Sequence, residues 1–598
     1  MTTNAGGNNR TNRSSGAAGD HDDLLAPLRR SAAEFPDEPA AAIRRGKRFL
    51  DVSNHDLLER VRDLAKGLIA IGVMPGERIA LMSNTRLEWL IVDLAITAVR
   101  AVTVPIYETS SPAQVEWILH DSGASLLVVG TDAMAERAAP IVASTPACRD
   151  DVIVIASGGV EMVAYAGRAV ADAQLDAVIA SITPNDMATI MYTSGTTGRP
   201  KGCVLSHKNL RSNVHQISDA LDGTVDASDT CLLFLPLAHI LTKSAALFCL
   251  EQRVKLVFST SLKNLPEEFL LAKPTLIAAV PRIFEKVYAR AQHQAEATRK
   301  GAIFERAATT AVRWSQKNET GSAGRLLRLE HSIHDRLVYE KIRAAFGGHL
   351  RMAFSGGGPL GARLTSFFDG TGVRIYEGYG LTETSPILTL TRADGWSPGS
   401  VGSPVRDTEI TLDDDGEILA KGPQVFSGYW HNETATADAF DQEQRFKTGD
   451  IGRFDAAGSL HIIGRSKDLI VTAAGKNVAP APLEDLLKAH SLISQAMVVG
   501  DGRPFIAALI TLDEEALAEW NEHHDRFELT EELQLAVDEA NASVSRAESI
   551  RKFVVLPHDF DLASGEITPT LKVRRAVIKE RYANVIESIY SVDEVVAP

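Results

Sequence analysis

The chain has 598 residues, more than one hydrophobic core normally holds, so its length predicts several domains. Its 45% hydrophobic and 23% charged residues are typical of a globular protein, and its net charge of −15 argues against general nucleic-acid binding. The four cysteines form no C-x-x-C pair, which argues against a disulfide framework or a zinc site and fits a reducing compartment.

The N-terminus and the longest apolar stretch bear on cellular location. Residues 1–22 are rich in Gly, Asn, Ser and Thr and predict a disordered tail without the apolar core of a signal peptide. Residues 90–106 are interrupted by Asp93, Arg100 and Pro105, so they predict a buried helix and strand rather than a membrane span. The sequence therefore predicts a cytoplasmic protein and leaves both peripheral membrane contact and dimer formation open.

Short apolar runs alternate with helical patterns in the first two-thirds of the chain. Strands are predicted at 78–82, 102–105 and 125–130, and helices at 87–99 and 113–121. Such alternation is typical of βα units, so it predicts parallel sheets flanked by helices.

The chemically most distinctive segment is 192–202, which follows a predicted buried strand at 188–191. Its glycines let the backbone approach an anion closely, while hydroxyl and basic side chains supply donors and positive charge. A flexible Ser/Gly surface loop is the alternative, but Pro200-Lys201-Gly202 in a tight frame behind a strand favours a phosphate-binding loop. It is not a Walker A loop, because Pro200 precedes Lys201 and Gly202 follows it.

Residues 285–351 differ from the alternating pattern, because they contain few β-branched runs and many Ala, Arg, Glu and Leu. They predict two or three helices with a break at 319–322. Thirteen Lys/Arg against seven Asp/Glu give this segment a net charge of +6 inside an acidic protein. A solvated helix face is the simpler explanation of the excess. A patch for an anionic ligand or a membrane surface is the functional one.

Two further glycine-rich segments are candidates for nucleotide contact. Residues 355–360 (Ser-Gly-Gly-Gly-Pro-Leu) follow a predicted strand at 350–354 and precede a helix. That position suits a phosphate or a nucleotide ring, or a plain turn. Residues 376–384 combine aromatic side chains with glycines, which suits stacking on a base, and their Thr and Glu suit Mg²⁺ beside a phosphate loop. The alternative for this second segment is a turn with a core tyrosine.

Further candidate residues lie towards the C-terminus. Asp450, in a predicted turn at 446–452, either caps that turn or accepts both ribose hydroxyls, and Arg465 lies 15 residues further on. A domain boundary is predicted near 464–468, and the remaining residues suffice for a small α/β domain. Lys572 follows a Thr-Pro-Thr turn, as if presented on a loop, although a lysine in a basic run is usually just solvated.

Five segments, in their order and spacing, resemble the adenylate-forming superfamily, which includes acyl-CoA synthetases, luciferases and peptide-synthetase adenylation domains. They are 192–202, 355–360, 376–384, 446–452 and 567–575. Residues 448–480 are similar to the signature of long-chain fatty acyl-CoA synthetases, with Ile-Ile-Gly-Arg-Ser-Lys-Asp at 462–468 and Gly-Lys-Asn-Val-Ala-Pro at 475–480. Residues 568–575 also resemble that branch. Overall, residues 25–590 resemble a bacterial, actinobacterial type of long-chain fatty-acid–CoA ligase.

The resemblance implies an α/β fold in two domains. A large N-terminal adenylation domain over 23–464, with parallel and mixed sheets flanked by helices, would include a β-subdomain and the helical insert 285–351. A small, mobile α+β domain over 465–598 would follow.

The resemblance also implies the reaction. A fatty carboxylate would attack the α-phosphate of ATP, pyrophosphate would leave, and the thiol of CoA would then take the acyl group and release AMP. Mg²⁺ would be the cofactor, and fatty acid, ATP and CoA the substrates. A carboxylate is a poor nucleophile and repels the triphosphate, so the task is positioning and charge neutralisation.

Site roles are carried over by motif from the family. Thr193 and Glu383 would bind Mg²⁺, and Lys572 would bridge the carboxylate and the α-phosphate. The nucleotide-binding set would comprise Ser194, Gly195, Thr196, Thr197, Gly198, Lys201, Gly356, Gly357, Glu377, Tyr379, Thr382, Asp450 and Arg465. Within that set, residues 194–201 would hold the β- and γ-phosphates, and the adenine would be surrounded by Gly356, Gly357, Glu377 and Tyr379. Thr382 would face the α-phosphate, and Asp450 and Arg465 would hold the ribose.

The second half-reaction would use other residues. Lys467 would be the hinge of the small domain, and rotation there would withdraw Lys572. The same rotation would bring the Ala474-Gly475 loop to the pantetheine channel.

His239 matches a position at the acyl pocket of the family, with a satisfied core histidine as the alternative. Lys243 lies four residues later, where some long-chain members carry a gating tryptophan. This departure puts a tryptophan gate, and any chain length inferred from one, in doubt.

Three other activities stay open at this point. One is a fatty acyl-AMP ligase that loads a carrier protein, and another is a medium-chain or aryl CoA ligase. The third is a degenerate member that binds nucleotide or lipid without turnover. The retained Lys201, Glu383, Asp450 and Lys572 argue against this third possibility.

Overall fold

The structure is a computed structural model that describes residues 23–193, 199–319, 321–392, 395–522, 526–546 and 548–591. Its strands, in chain order, are β1 Pro39–Arg45, β2 Arg48–Ser53, β3 Arg78–Met82, β4 Val102–Ile106, β5 Leu126–Val129, β6 Ile153–Val154, β7 Met187–Thr193, β8 Lys201–Ser206, β9 Thr230–Leu233, β10 Lys255–Phe258, β11 Leu276–Ala279, β12 Met352–Ser355, β13 Arg374–Gly380, β14 Ile387–Leu390, β15 Ser403–Pro404, β16 Glu409–Leu412, β17 Glu417–Lys421, β18 Phe446–Phe454, β19 Leu460–Arg465, β20 Ile470–Val471, β21 Asn477–Val478, β22 Ile493–Val499, β23 Ile506–Leu512 and β24 Ile550–Val555.

The helices of the same residues, in chain order, are α1 Ala26–Glu34, α2 Asn54–Ala70, α3 Leu87–Ala98, α4 Pro112–Ser122, α5 Asp132–Ser144, α6 Gly159–Ala166, α7 Asp172–Ala180, α8 His207–Ala220, α9 Ile240–Gln252, α10 Leu265–Ala272, α11 Pro281–Ala297, α12 Gly301–Glu319, α13 Arg325–His334, α14 Glu340–Ala345, α15 Ala362–Gly370, α16 Glu433–Ala439, α17 Pro480–Leu487, α18 Glu514–Asn521, α19 Arg526–Asn541, α20 Arg575–Arg581 and α21 Ala583–Tyr590. None of these helices has the length and apolar character needed to cross a bilayer.

The βα alternation predicted from the apolar runs is confirmed at β3-α3-β4-α4-β5. The three strands pair in parallel, and α3 is buried along its whole length, which explains why its sequence is apolar on every side. Helix α4 begins at a capping box between Ser111 and Gln114 and ends at Gly123 in the left-handed conformation. Local sequence signals therefore set the bounds of these elements.

Two large mixed sheets form the N-terminal part. One has nine strands in the order β15-β14-β13-β12-β11-β9-β10-β1-β2, and the other has six in the order β6-β5-β3-β4-β7-β8. In each sheet a run of parallel strands ends in antiparallel strands, as between β7 and β8 or β13 and β14. The antiparallel sheet β16-β17-β18-β19 follows and matches the expected β-subdomain. The predicted α/β fold class is confirmed.

The C-terminal part has its own sheets and its own core. Strands β20 and β21 pair with each other, and β22, β23 and β24 form a separate sheet. Two apolar clusters fill this part, both built from residues within 470–590. Leu571 is different, because it packs against a cluster of the N-terminal part that includes Val280 and Phe284. The boundaries 23–464 and 465–598 stay a prediction.

The insert 285–351 differs in detail from its prediction. The expected break at 319–322 is present between α12 and α13, but a further break at 298–300 separates α11 from α12. Arg299 adopts a left-handed φ of +55° there, which no periodicity signal announces. The described residues of the segment therefore form four helices, α11 to α14, instead of the two or three predicted. Residues 1–22, predicted as a tail, lie outside the described residues.

Candidate active site

A cavity of about 1740 Å³ is lined by residues from each of the five segments that the sequence analysis selected. The predicted site residues that line it are Thr193, Lys201, His239, Gly356, Gly357, Glu377, Tyr379, Thr382, Glu383, Asp450, Arg465, Lys467 and Lys572. Because these positions are far apart in sequence, only the folded chain brings them to one site. Their individual roles stay predictions.

Two groups of predicted residues stand apart from this set. Ser194, Gly195, Thr196, Thr197 and Gly198 lie outside the described residues, so the tip of the predicted phosphate loop is not described. Ala474 and Gly475 form a turn between β20 and β21, with Gly475 at a φ of +76°, and neither is among the residues lining the cavity. That position agrees with the expectation that this turn would need a domain rotation to reach the site.

The phosphate-loop segment is a hairpin stem rather than the start of a helix. Strands β7 and β8 pair antiparallel, with Thr193 opposite Lys201 at the mouth of the loop. The Lys201 ammonium lies 5.0 Å from the ring centre of Tyr429, and the Arg199 guanidinium lies 4.6 Å from that of Trp117. These cation–π contacts hold both positive charges next to the loop.

Glu383 and Thr193 approach each other across Cys203. The Tyr429 hydroxyl donates a hydrogen bond of 2.8 Å to Glu383 Oε1 and so fixes this buried carboxylate. Thr193 Oγ1 lies 3.9 Å from Cys203 Sγ, and burial together with the nearby Glu383 raises the pKa of that thiol. The result is a carboxylate and a hydroxyl on facing elements at the base of the loop.

Tyr429 contacts both Glu383 and Lys201 but was not predicted from the sequence. Its signal was the segment Ser-Gly-Tyr-Trp at 427–430, an aromatic pair after a glycine of the kind read as informative at 376–384. The backbone explains the position, because the N–H of Trp430 donates to the carbonyl of Gly202 at 2.7 Å. This bond fixes the aromatic pair to β8.

Asp450 and Arg465 form an ion pair at the rim of the cavity. They face each other across β18 and β19, with Arg465 Nε 3.2 Å from Asp450 Oδ1. The Tyr379 hydroxyl donates to Asp450 Oδ2 at 2.8 Å. Burial raises the pKa of Asp450, while Arg465 and Tyr379 oppose that rise.

The predicted turn at Asp450 is wrong, since the residue lies inside β18. Gly449, at a φ of +72°, kinks the strand without ending it, and the long pairing of β18 with β19 overrides the local turn signal.

Glu377 is bonded to protein groups in this structure, whereas the resemblance implies a contact with adenine. Its carboxylate accepts hydrogen bonds from the hydroxyl of Thr365 at 2.8 Å and from the N–H of Leu360 at 3.3 Å. Burial raises its pKa, and these bonds oppose the rise. Glu377 therefore tethers the 355–360 loop to the nine-stranded sheet, and its contact with adenine stays a prediction.

Lys572 reaches the glycine-rich loop from the C-terminal part. A Cβ placed on Gly357, which has a φ of +83°, would lie 3.2 Å from Lys572 Cε and 3.5 Å from its Nζ, so glycine leaves room for the lysine. Burial is the main cause that lowers the Lys572 pKa to about 8, and Arg465 lowers it further, while Asp450 and Glu383 oppose them. The side chain nonetheless stays accessible from the cleft.

The loop that carries Lys572 is short and partly strained. It closes at the bridge between Ile567 and Val573, and the Lys572 N–H donates to the hydroxyl of Thr568 at 3.0 Å. Leu571 has a φ of +60°, which costs a residue with a Cβ about 1–2 kcal/mol. The packing of Leu571 against the N-terminal core offsets that strain and orients the next residue, a role that sequence reasoning missed.

His239 has a hydrogen-bonded place in the fold and also lines the cavity, so its position at an acyl pocket stays a prediction. Its Nδ1 accepts a hydrogen bond of 3.2 Å from the N–H of Leu241, which caps α9, and its ring also lines the cavity. Burial and the positive charge of Lys572 lower the His239 pKa to about 3, so the ring is neutral at physiological pH.

Lys243 lies away from that lining and pairs with Asp93, with Nζ 2.6 Å from Oδ1 and both side chains buried. Position 243, where some long-chain members of the family carry a gating tryptophan, therefore holds one partner of a buried ion pair.

Polar contacts fix the C-terminal part against α11. Lys488 Nζ lies 3.1 Å from Glu285 Oε1, Arg282 donates to the Ser494 hydroxyl at 2.7 Å, and the His293 ring contacts the Ser491 carbonyl at 3.0 Å. Burial acts to lower the pKa of Lys488, but the nearby carboxylates of Asp485 and Glu285 raise it overall. These contacts hold the C-terminal part where Lys572 faces the cleft.

Comparison with known proteins identifies the family. The AMP-binding enzyme family matches residues 28–430, and the AMP-binding enzyme C-terminal domain matches residues 467–594. The long-chain-fatty-acid–CoA ligase FadD15 of Mycobacterium tuberculosis is 46% identical over 590 residues, covering 96% of this chain and 98% of that protein. The mouse long-chain-fatty-acid–CoA ligase ACSBG1 is 29% identical over 606 residues, covering 92% and 83%.

Solved structures support the fold. The ATP-bound MatB of Rhodopseudomonas palustris superposes with a TM-score of 0.70 at 24% identity, covering 94% of this chain and 99% of that one. The adenylation domain of a carboxylate reductase from Mycobacterium chelonae gives a TM-score of 0.75 at 22% identity, covering 95% and 91%. These likenesses show the fold, and the family match over residues 28–430 together with the 46% identity to FadD15 shows that the chain belongs to the AMP-binding enzymes.

Proposed function

We propose that this protein is an ATP-dependent long-chain-fatty-acid–CoA ligase. The observation that carries the proposal is the convergence of Lys572, Asp450, Arg465 and Glu383 on one cleft. The relatives that carry this name support it, since one of them is 46% identical over almost the whole chain. The products would be acyl-CoA, AMP and pyrophosphate.

In the first half-reaction, the fatty carboxylate oxygen would attack the α-phosphorus of ATP while the bond to the β-phosphate oxygen breaks. Lys572 is suited to sit between carboxylate and α-phosphate, because its ammonium reduces their repulsion. Asp450 and Arg465 would hold the ribose, Thr382 the α-phosphate, and Lys201 the leaving phosphates. No proton is abstracted, so positioning and charge carry the rate.

Magnesium fits the oxygen donors at the base of the phosphate hairpin. Mg²⁺ prefers oxygen ligands and usually shares one or two protein groups with substrate phosphates. The hydroxyl of Thr193 and the carboxylate of Glu383, both beside Cys203, match that donor set. Among the described residues no cluster of three or more His, Cys, Asp and Glu side chains forms a metal site. We infer that the phosphates of ATP complete the coordination, and that the ion would offset the triphosphate charge.

The second half-reaction would need the C-terminal part to move. The CoA sulfur would attack the acyl carbon of the adenylate, and AMP would leave. Lys572 would then have to withdraw, which we assign to rotation at Lys467, and the turn at Ala474-Gly475 would approach the pantetheine arm. The exposed position of that turn, away from the cavity in this structure, supports the assignment.

An apolar wall supports a hydrocarbon substrate. Leu241, Ala245 and Phe248 of α9 line the cavity beside His239, with Ile217 of α8 facing them. Burial of an alkyl chain there would contribute about 0.8 kcal/mol per CH₂. Neutral His239 places no charge next to such a chain.

The test is mass detection of acyl-CoA after incubation with ATP, Mg²⁺, CoA and a panel of carboxylates of different length. We expect long-chain acyl-CoA as the main product. Preferred turnover of medium-chain or aryl carboxylates would replace the substrate class, and acyl-adenylate that accumulates with CoA but transfers to a carrier protein would identify an acyl-AMP ligase. The absence of carboxylate-dependent pyrophosphate release would contradict any adenylating activity.

A further inference from the structure

An apolar stripe on α13 and the helical turn Asp335–Tyr339 faces solvent. Leu326 is 84% exposed, Leu329 61%, Ile333 51% and Leu337 49%. Their spacings of three, four and four residues place them on one side of the helix. Single exposed leucines are ordinary on a protein surface, but four along one line mark an interaction face.

Arginines border this stripe. Arg325, Arg328 and Arg336 are exposed on the same stretch. The two carboxylates of the stretch are engaged elsewhere: Glu330 accepts from the Thr310 hydroxyl at 3.1 Å, and Asp335 pairs with Arg343 at 2.7 Å. The apolar line therefore adjoins three exposed arginines on an insert whose net charge is +6, within a protein whose net charge is −15.

The opposite side of the helix is firmly packed. Leu327 and Tyr339 are buried. The His331 ring stacks on Trp314 at 4.2 Å, and its Nε2 lies 2.7 Å from the carbonyl oxygen of Gly370. The stripe is thus not needed to hold α13 in place, and the helix is already formed when a partner arrives.

We propose that this face of α13 docks on an anionic phospholipid bilayer. A helix that carries leucines beside arginines suits the headgroup boundary, because the leucines enter the acyl region while the guanidinium groups meet lipid phosphates. An anionic surface repels the remainder of this acidic protein and attracts this face, which selects one orientation.

The docked face is mechanically connected to the active-site cleft. His331 contacts Gly370 at the end of α15, and the first residues of α15, Ala362 to Leu364, line the cavity. Docking at α13 would therefore fix the cleft at a defined distance from the bilayer. The membrane contact itself is independent of the proposed ligase activity.

The experiment is co-sedimentation of the full-length protein with vesicles. We compare phosphatidylcholine alone with an equal mixture of phosphatidylcholine and phosphatidylglycerol, without ATP or CoA. We expect binding to the mixed vesicles, weakened when salt rises from about 0.1 M to about 1 M, since the screening length falls from about 10 Å to about 3 Å.

Two variants separate the apolar and the charged contributions. Leu329→Ser/Ile333→Ser should weaken binding to the mixed vesicles about tenfold or more, because both side chains lose their burial in the acyl region. Replacement of each of Arg325, Arg328 and Arg336 by Gln should weaken it by about fivefold per residue.

The matched control is Leu535→Ser, which removes an apolar side chain that is 62% exposed on α19. It should bind like the parent, and circular dichroism should show all variants folded. Parent-like binding by both α13 variants would overturn the proposal, as would equal parent binding to neutral and anionic vesicles. A dimer of the parent that dissociates in Leu329→Ser/Ile333→Ser, seen by analytical ultracentrifugation without vesicles, would assign the face to a second copy instead.

Discussion

The wall of the cleft and the loop that carries Lys572 are held by different kinds of interaction. The wall is fixed by direct polar contacts between its own side chains, as in Tyr379–Asp450–Arg465 and Tyr429–Glu383. The Lys572 loop depends on one apolar contact of Leu571 and on the polar contacts between the C-terminal part and α11. The side chains of the wall therefore keep fixed positions, while the position of Lys572 can change with that of the C-terminal part.

That difference explains how one cleft could serve two reactions. Interfaces between domains of one chain are usually polar and permit movement, unlike buried hydrogen-bonded networks. A change in the wall should affect both half-reactions, because both use the adenylate. A change in the C-terminal part or its contacts should affect one half-reaction and spare the other.

The largest effect on both half-reactions is expected for Asp450→Ala. The change removes the carboxylate that we propose to hold the ribose, with two charged hydrogen bonds, and this should weaken nucleotide binding about 100-fold. The measurement is the KM for ATP in adenylation and for supplied acyl-adenylate in thioester formation. A loss in adenylation alone would contradict a role of the wall in both half-reactions, and Asp414→Ala, on the exposed turn between β16 and β17, is the control.

A large effect on the second half-reaction alone is expected for Lys467→Pro. Proline fixes φ and restricts the residue before it, so rotation at this position should be blocked and thioester formation should fall about tenfold or more. Pyrophosphate release in single turnover should stay normal. Lys467→Ala, which keeps rotation free, should behave like the parent, and normal overall turnover in the proline variant would contradict the hinge.

A moderate effect on the first half-reaction alone is expected for Lys488→Gln. Loss of its ion pair with Glu285 should loosen the position of Lys572 and slow adenylation about tenfold. Glu285→Gln should act in the same direction, and the double variant should be less than additive because the two residues share one contact.

The control for this pair is Lys552→Gln, since Lys552 contacts Ile589 and Phe505 within the C-terminal part. Slower thioester formation from supplied acyl-adenylate in Lys488→Gln would contradict a role of Lys488 in the first half-reaction alone.

A smaller effect is expected from pH. Burial lowers the Lys572 pKa to about 8, so its ammonium is present below that pH and is lost as pH rises through it. The kcat/KM of adenylation should therefore fall on the alkaline side with an inflection near pH 8. In Lys572→Arg the charge persists, so this inflection should disappear or move upwards. An unchanged inflection in the arginine variant would assign it to another group.

The sequence was sufficient where local patterns decide structure. The βα units at 78–130 follow from their apolar runs, and the bounds of α4 follow also from its caps. The cleft residues were found through a resemblance whose motifs are local. Their convergence could be expected only because that resemblance supplied the fold.

The features that the sequence did not predict depend on contacts between residues far apart in the sequence. Tyr429 matters because β8 and the 428–430 segment pair, and Lys488 matters because α17 meets α11 some 200 residues away. Leu571 has a left-handed φ that only its packing in the other part explains. Asp450 was assigned to a turn because the Thr-Gly-Asp signal is local, whereas the pairing of β18 with β19 is not.

The most direct test is to measure both half-reactions separately in Lys572→Ala, with Lys208→Ala, an exposed lysine of α8, as the control. We expect carboxylate-dependent pyrophosphate release to fall about 10²–10³-fold, the usual cost of one preorganised charge at a transition state. Thioester formation from supplied acyl-adenylate and CoA should stay near the parent rate. An equal loss of both half-reactions would contradict a lysine that serves the first reaction alone.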